Sequence, residues 1–241
     1  MALRLFSALA TFSACYKANK KMPKSVPEGI VVHSTGANNP NLKRYVNSPT
    51  ICGTNANKNY FGGSGSENVT PHAVIGKDVS GTVRTAQILP FNICCYGCGS
   101  GSKGSYNYSP AYVQFEICED ALTDKNYFNE VFDQAAELCA HLMGKYPTIK
   151  LKNVISHKEA NKRGYASNHG DPDHWLAKQG KDMTWFRSLV QSKLSATTST
   201  TNSGSLYRVQ VGAFSVKANA QKQLDELKKA GFNGIIVETQ K

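Results

Sequence analysis

Six histidines occur in the chain: His33, His72, His141, His157, His169 and His174. Two of them share a setting. His33 closes the apolar run Gly29-Ile30-Val31-Val32, and His157 closes Asn153-Val154-Ile155-Ser156. Short apolar runs of this kind read as buried strands, and a strand end holds a polar side chain rigidly where a sheet meets a cleft. Asp171 follows in the loop Ser167-Asn168-His169-Gly170-Asp171-Pro172. Two imidazoles and one carboxylate form a donor set that zinc accepts, with the fourth position left for water. An ion held this way acidifies that water and polarises a carbonyl, which is the chemistry of a metal-assisted hydrolase. The three residues lie far apart in the chain. Spacing therefore leaves open the plainer reading, in which they are ordinary polar residues at strand ends.

Glu116 is the second chemical candidate. It lies in Ala111 to Cys118, where Val113, Phe115 and Ile117 alternate with Gln114, Glu116 and Cys118. A carboxylate on the second face is either solvated or, where that face lines a cleft, placed to move a proton. The seven cysteines are Cys15, Cys52, Cys94, Cys95, Cys98, Cys118 and Cys139. An odd count spread over a long chain argues against a secreted disulfide framework and for synthesis in a reducing compartment. Cys95 and Cys98 form one C-x-x-C with no second pair, so a structural zinc would need Cys118 or Cys139 as well. The following Gly99 to Gly104 reads as a long exposed loop. Nothing local marks Cys52 or Cys118 as the thiolate of a Cys–His nucleophile.

The elements that must position these groups can be read from periodicity. Strands are expected at Gly29 to His33, Pro71 to Gly76, Val83 to Leu89, Ala111 to Cys118 and Asn153 to Ser156. Asp124 to Gly144 follows a helical spacing through Tyr127, Phe128, Val131, Phe132, Ala135, Leu138 and Leu142, and Asp182 to Leu194 is a second amphipathic helix. Strands interleaved with helices predict an α/β or α+β domain over residues 1–194. Ser195 to Ser205 (SATTSTTNSGS) reads as a linker. Residues 206–241 read as a small β-α-β module: strand Leu206 to Phe214, helix Ala218 to Ala230, strand Ile235 to Val237. The N-terminal Ala2 to Ala14 is a thin match to a cleaved signal, with one Arg and an apolar run diluted by Ser7, Thr11 and Ser13.

The length of 241 residues and the 40% hydrophobic content suffice for one full core plus that module. A net charge of +11 favours anionic partners. No basic-aromatic motif supports nucleic acid among them, and no apolar run is long enough for stable membrane insertion.

Several runs resemble the zinc-dependent N-acetylmuramoyl-L-alanine amidases, nearest to clostridial phage endolysins and autolysins and related to peptidoglycan recognition proteins. They are Val31-Val32-His33-Ser34-Thr35-Gly36-Ala37-Asn38, Phe115-Glu116-Ile117-Cys118-Glu119, Ser156-His157-Lys158-Glu159 and Asn168-His169-Gly170-Asp171. The resemblance covers roughly Arg4 to Val190. It implies a central mixed β-sheet flanked by helices. It also implies a Zn2+ held by His33, His157 and Asp171, Glu116 as general acid and base, and His169 at the position where many members carry an oxyanion-stabilising lysine. The implied substrate is bacterial peptidoglycan, glycan strand and stem peptide together, cut between N-acetylmuramic acid and L-alanine. A non-catalytic peptidoglycan-binding protein of the same fold is the alternative. Synthesis in the bacterial cytoplasm and action at the wall follow, by release through a holin pore or by secretion, and Cys15-Tyr16-Lys17 resembles a segment that such enzymes retain. The tail Leu206 to Ser215 with Ala218-Asn219-Ala220 resembles half of a SPOR domain, a glycan-binding family. A half module is incomplete, binds weakly or pairs with a second copy, and pairing in a homodimer is the expectation.

Overall fold

The computed structural model describes residues 2–63, 69–201, 211–230 and 234–238, side chains from 197 to 201 excepted. Among the described residues there are six strands: β1 (Leu5–Ser7), β2 (Gly29–Ser34), β3 (Ala73–Lys77), β4 (Val83–Gln87), β5 (Tyr112–Ile117) and β6 (Val154–Ser156). Seven α-helices accompany them: α1 (Ala14–Ala18), α2 (Pro49–Cys52), α3 (Lys125–Lys145), α4 (His157–Arg163), α5 (Asp173–Lys178), α6 (Met183–Thr201) and α7 (Lys217–Lys229). The chain divides into two compact units, residues 1–200 and 201–241.

The strands form one mixed sheet in the order β1-β4-β3-β5-β2-β6. Only β3 and β4 pair antiparallel, across the Asp78 to Gly81 turn; every other pairing is parallel. Parallel strands have helices packed over them and bury both faces. Accordingly β2 and β5 are buried at every residue.

Alternation gives the two faces different tasks. One carries Ile30, Val32, Ala73, Ile75, Val113, Phe115 and Ile117 into a large apolar cluster with Phe128, Phe132, Trp175 and Phe186 from the covering helices. Helix α3 supplies its apolar stripe there, and Asp124 caps its start by accepting from the Asn126 and Tyr127 amides. The opposite face carries Val31, His33, Gln114 and Glu116. It is flanked by two smaller apolar clusters, one around Val74 and Cys118 and one around Val31 and Ile155. The polar residues of the sheet thus lie between two greasy patches on one face.

Several expectations are corrected. β1 was absent from the sequence reading, being too short for periodicity to show. It pairs Leu5, Phe6 and Ser7 with Thr85, Ala86 and Gln87. Buried Gln134 fastens the segment before it, accepting from the Arg4 amide at 2.9 Å and donating to the Ala2 carbonyl at 3.0 Å. Helix α6 runs on to Thr201, through residues expected to begin a linker. Extending an anchored helix through Ser and Thr costs only about 0.5 kcal/mol per residue relative to Ala. In the second unit the expected helix is present as α7. Residues 206–210 lie outside the described residues, and among the described residues 211–214 and 235–237 carry no strand.

His72 is fully buried just before β3. Its Nδ1 accepts from the Gln114 amide at 3.0 Å and its Nε2 bonds the Ile93 carbonyl at 2.9 Å, so the ring staples backbone to backbone. Burial pushes its pKa down to about 4. The unfolded chain therefore takes up this proton near pH 6.5 while the fold refuses it until about pH 4. The stability contributed is full above pH 6.5 and fades as pH falls through that window, by about 3 kcal/mol in all. In denaturant titrations, His72→Gln should lower stability at pH 7 and flatten the decline between pH 6.5 and 4. An unchanged decline excludes this histidine as its source.

Candidate metal centre

The register of three neighbouring strands assembles the site. His33 on β2 lies opposite Glu116 on β5, so both side chains leave the same face. Val32 lies opposite Ser156 on β6, which places His157, one residue further, beside His33. At that point the chain turns into α4, whose start is a capping box between Ser156 and Glu159. Asp171 arrives from the loop before α5. Its carbonyl accepts the His157 amide at 3.1 Å, and its Oδ2 accepts the Ser34 amide at 3.3 Å.

Three side chains converge as a result. His33 Nδ1 and His157 Nδ1 are 3.0 Å apart. Asp171 sets Oδ2 3.2 Å from His33 Nδ1 and Oδ1 3.4 Å from His157 Nδ1. Among the described residues this is the only cluster of three or more His, Cys, Asp or Glu side chains that could hold a metal ion. Tetrahedral ligands on zinc, with bonds of about 2.0–2.2 Å, are separated by roughly 3.3–3.6 Å. The observed spacings of 3.0 to 3.4 Å reach the lower end of that range or fall a few tenths of an ångström short of it. Neutral imidazole nitrogens facing each other and a carboxylate oppose lone pairs, and a divalent cation relieves the opposition. Burial lowers the pKa of His33 and so favours its neutral form, the form that ligates. Burial alone would raise Asp171, but its close contacts with the His157 and His33 imidazoles hold it well below the ordinary carboxylate range.

Glu116 is buried on the same face, and its Oε2 finds no hydrogen-bond partner. Burial, reinforced by the like charges of Asp171 and Glu119, raises its pKa far above the ordinary value. A carboxyl so perturbed in such a place suits proton transfer. The solvated outer face, the commoner setting for a mid-strand glutamate, does not apply here. His169 is exposed and stands against His157, ring centroids 4.7 Å apart. Ser167 Oγ lies between them, 3.3 Å from His157 Nε2 and 3.0 Å from His169 Nδ1.

Three contributors escaped the sequence reading. Glu119 is buried and bonds both Ser34 Oγ, at 2.5 Å, and His174 Nε2, at 3.0 Å, tying β2 to α5. Ser167 sits in a loop without periodicity. Gln114, 3.2 Å from His33 Nε2, shares the Glu116 face, and strand alternation contained that signal. All seven cysteines are buried free thiols. Burial raises Cys118 well above its ordinary range and pushes Cys52 up to about 12, which argues against a thiolate nucleophile at either. The glycine-rich loop after Cys98 is exposed at its tip, but its base bonds to the segment 164–167 through Lys103, Tyr106 and the Cys98 carbonyl.

A family model described as N-acetylmuramoyl-L-alanine amidase matches residues 23–174, and a SPOR domain model matches residues 180–238. No curated protein matches the chain. Among solved structures, the Staphylococcus aureus hydrolase AmiA in complex with its ligand is 18% identical, with a TM-score of 0.59 over 83% of this chain and 87% of that one. PlyL is 19% identical with a TM-score of 0.53, covering 80% of this chain and all but 1% of its own, since 99% is matched. The PlyG catalytic domain is 22% identical with a TM-score of 0.53, over 80% of this chain and 96% of its own. At these identities the likeness is one of fold.

The converging donors predict that the purified chain retains about one equivalent of zinc, read by elemental analysis after dialysis against a weak chelator. His33→Ala and Asp171→Ala should each lose it. A full equivalent in either variant would place the ion elsewhere.

Proposed function

The chain belongs to the N-acetylmuramoyl-L-alanine amidase family, whose model spans residues 23–174, and on that premise we propose a zinc hydrolase that cuts peptidoglycan between N-acetylmuramic acid and L-alanine. The observation that carries the reading is the convergence of His33, His157 and Asp171 beside an unpartnered, buried Glu116. Bound zinc would supply a Lewis acid for the amide carbonyl and acidify a water at its open position. Glu116 takes the proton that the attacking water gives up and delivers it to the departing nitrogen as the carbon–nitrogen bond breaks. The products are a lactyl carboxylate on the sugar and a free L-alanine amine on the stem peptide. Glu116 suits both roles because no neighbour among the described residues claims its Oε2.

His169 is assigned the oxyanion contact. Ser167 Oγ donates its single proton to the Cys98 carbonyl, at 3.1 Å. The His169 Nδ1 on that oxygen must then be a donor, and its Nε2 offers an N–H to substrate only as the imidazolium. A lysine at this position would bring the same charge. The SPOR match begins at residue 180, takes in α6 and runs through the second unit to residue 238, and residues 206–241 are read as the wall-binding module. The endolysin or autolysin role, and pairing of the module with a second copy, belong to the same proposal.

Glu116→Ala should abolish release of free amino groups from purified walls while zinc content stays at the wild-type level. Full lysis by that variant removes Glu116 from the mechanism. His169→Ala should lower kcat by about 100-fold, the loss typical of one oxyanion donor, and His169→Lys should restore most of it. Equal rates in all three proteins would end the oxyanion assignment.

A further inference from the structure

The outer nitrogens of both metal-facing histidines bond Gln114 and Ser167, and those two residues are oriented, through Asn107 or directly, by a feature outside the donor set, the tripeptide Gly97-Cys98-Gly99 from the cysteine-rich loop. We infer that this tripeptide sets the tautomer of His33 and of His157, so that both rings present a bare Nδ1 to the ion. The inference rests on the zinc reading above.

On the His33 side, the backbone amides of Gly97 and Cys98 point at Asn107 Oδ1, at 3.1 and 3.3 Å. Backbone amides only donate, so the Asn107 atom facing them is its oxygen. Gln114 turns its Nε2 to that oxygen at 2.8 Å, which leaves Gln114 Oε1 directed at His33 Nε2, at 3.2 Å. An amide oxygen only accepts. His33 Nε2 must therefore carry the hydrogen, and the neutral ring has none left for Nδ1. Two peptide amides thereby decide the protonation pattern of a side chain they do not touch. Gln114 is fully buried and Asn107 nearly so, so water offers no alternative partner.

On the His157 side, the same residue acts through its carbonyl. Cys98 O accepts the Ser167 amide at 2.9 Å and the Ser167 hydroxyl at 3.1 Å. With its one proton so used, Ser167 Oγ can only accept from His157 Nε2, at 3.3 Å. This ring too is left with a free Nδ1. The flanking glycines let the loop come this close. A Cβ on Gly97 would fall 2.3 Å from Gln114 Oε1, and one on Gly99, at φ +62°, would fall 2.8 Å from Ser167 Oγ. Gln114 and Ser167 are thus positioning residues, each acting on one ligand.

The test uses the full chain labelled with 15N-histidine. Long-range 1H–15N spectra of chelator-treated protein separate the two neutral tautomers, and competition with a chelating dye gives Zn2+ affinity. Wild type should show the Nε2–H form at both His33 and His157. Gln114→Leu should release the tautomer at His33 only, and Ser167→Ala at His157 only, each weakening Zn2+ binding by about 10- to 100-fold. Asn107→Leu should act like Gln114→Leu, whereas Asn107→Asp, which keeps the accepting oxygen, should behave as wild type. The buried His72 signal reports in each variant that the fold is intact. An Nδ1–H form at His33 in wild type overturns the inference. So does wild-type tautomer and affinity in a folded Gln114→Leu. If wild type binds no zinc yet shows both Nε2–H forms, the tautomer assignment holds and the zinc reading falls.

Discussion

The parallel register of β2 against β5 and β6 is the constraint on which the rest depends. Side chains alternate along a strand, so a slip of one residue would carry His33 from the polar face into the cluster around Phe115 and Phe132. It would also bring Val32 opposite Glu116. The apolar content of the other face forbids this, because Ile30 and Val32 would leave it and His33 would enter it. Burying such groups without partners costs several kcal/mol each. The hydrophobic face thereby aligns the reactive one, though it contributes no atom to it.

The polar face is itself almost wholly buried, which sets a second condition. His33, His157, Gln114 and Asn107 are removed from water, and each buried polar atom must find a partner or pay about 1–3 kcal/mol. Nearly all do, through a continuous chain from the loop amides to the ring nitrogens. Glu116 Oε2 is the exception among the site's side chains. On the proposed reading, that unmet acceptor is where the transferred proton is held.

Much of this was legible beforehand. The strands bearing His33, Glu116 and His157 showed as apolar or alternating runs, and α3 showed as a long amphipathic stripe, because burial of one face leaves a period in the sequence. Features without a period stayed hidden. β1 is three residues long, the segment from Gly97 to Asn107 has no regular structure, and Ser167 lies in a loop. The linker composition of Ser195 to Thr201 misled for a related reason, since composition registers propensity and cannot register the helix already anchored upstream.

Residue types and local pattern by themselves determined the kinds of donor available, the strands that carry two of them, and the family. Tertiary structure alone decided that Asp171 meets His33 and His157, that Glu116 faces inward, and that the cysteine-rich loop bonds Asn107 and Ser167 through its backbone. Periodicity encodes which face of an element is buried. What that face meets depends on strand order and register, and those are set by contacts between residues distant in the chain.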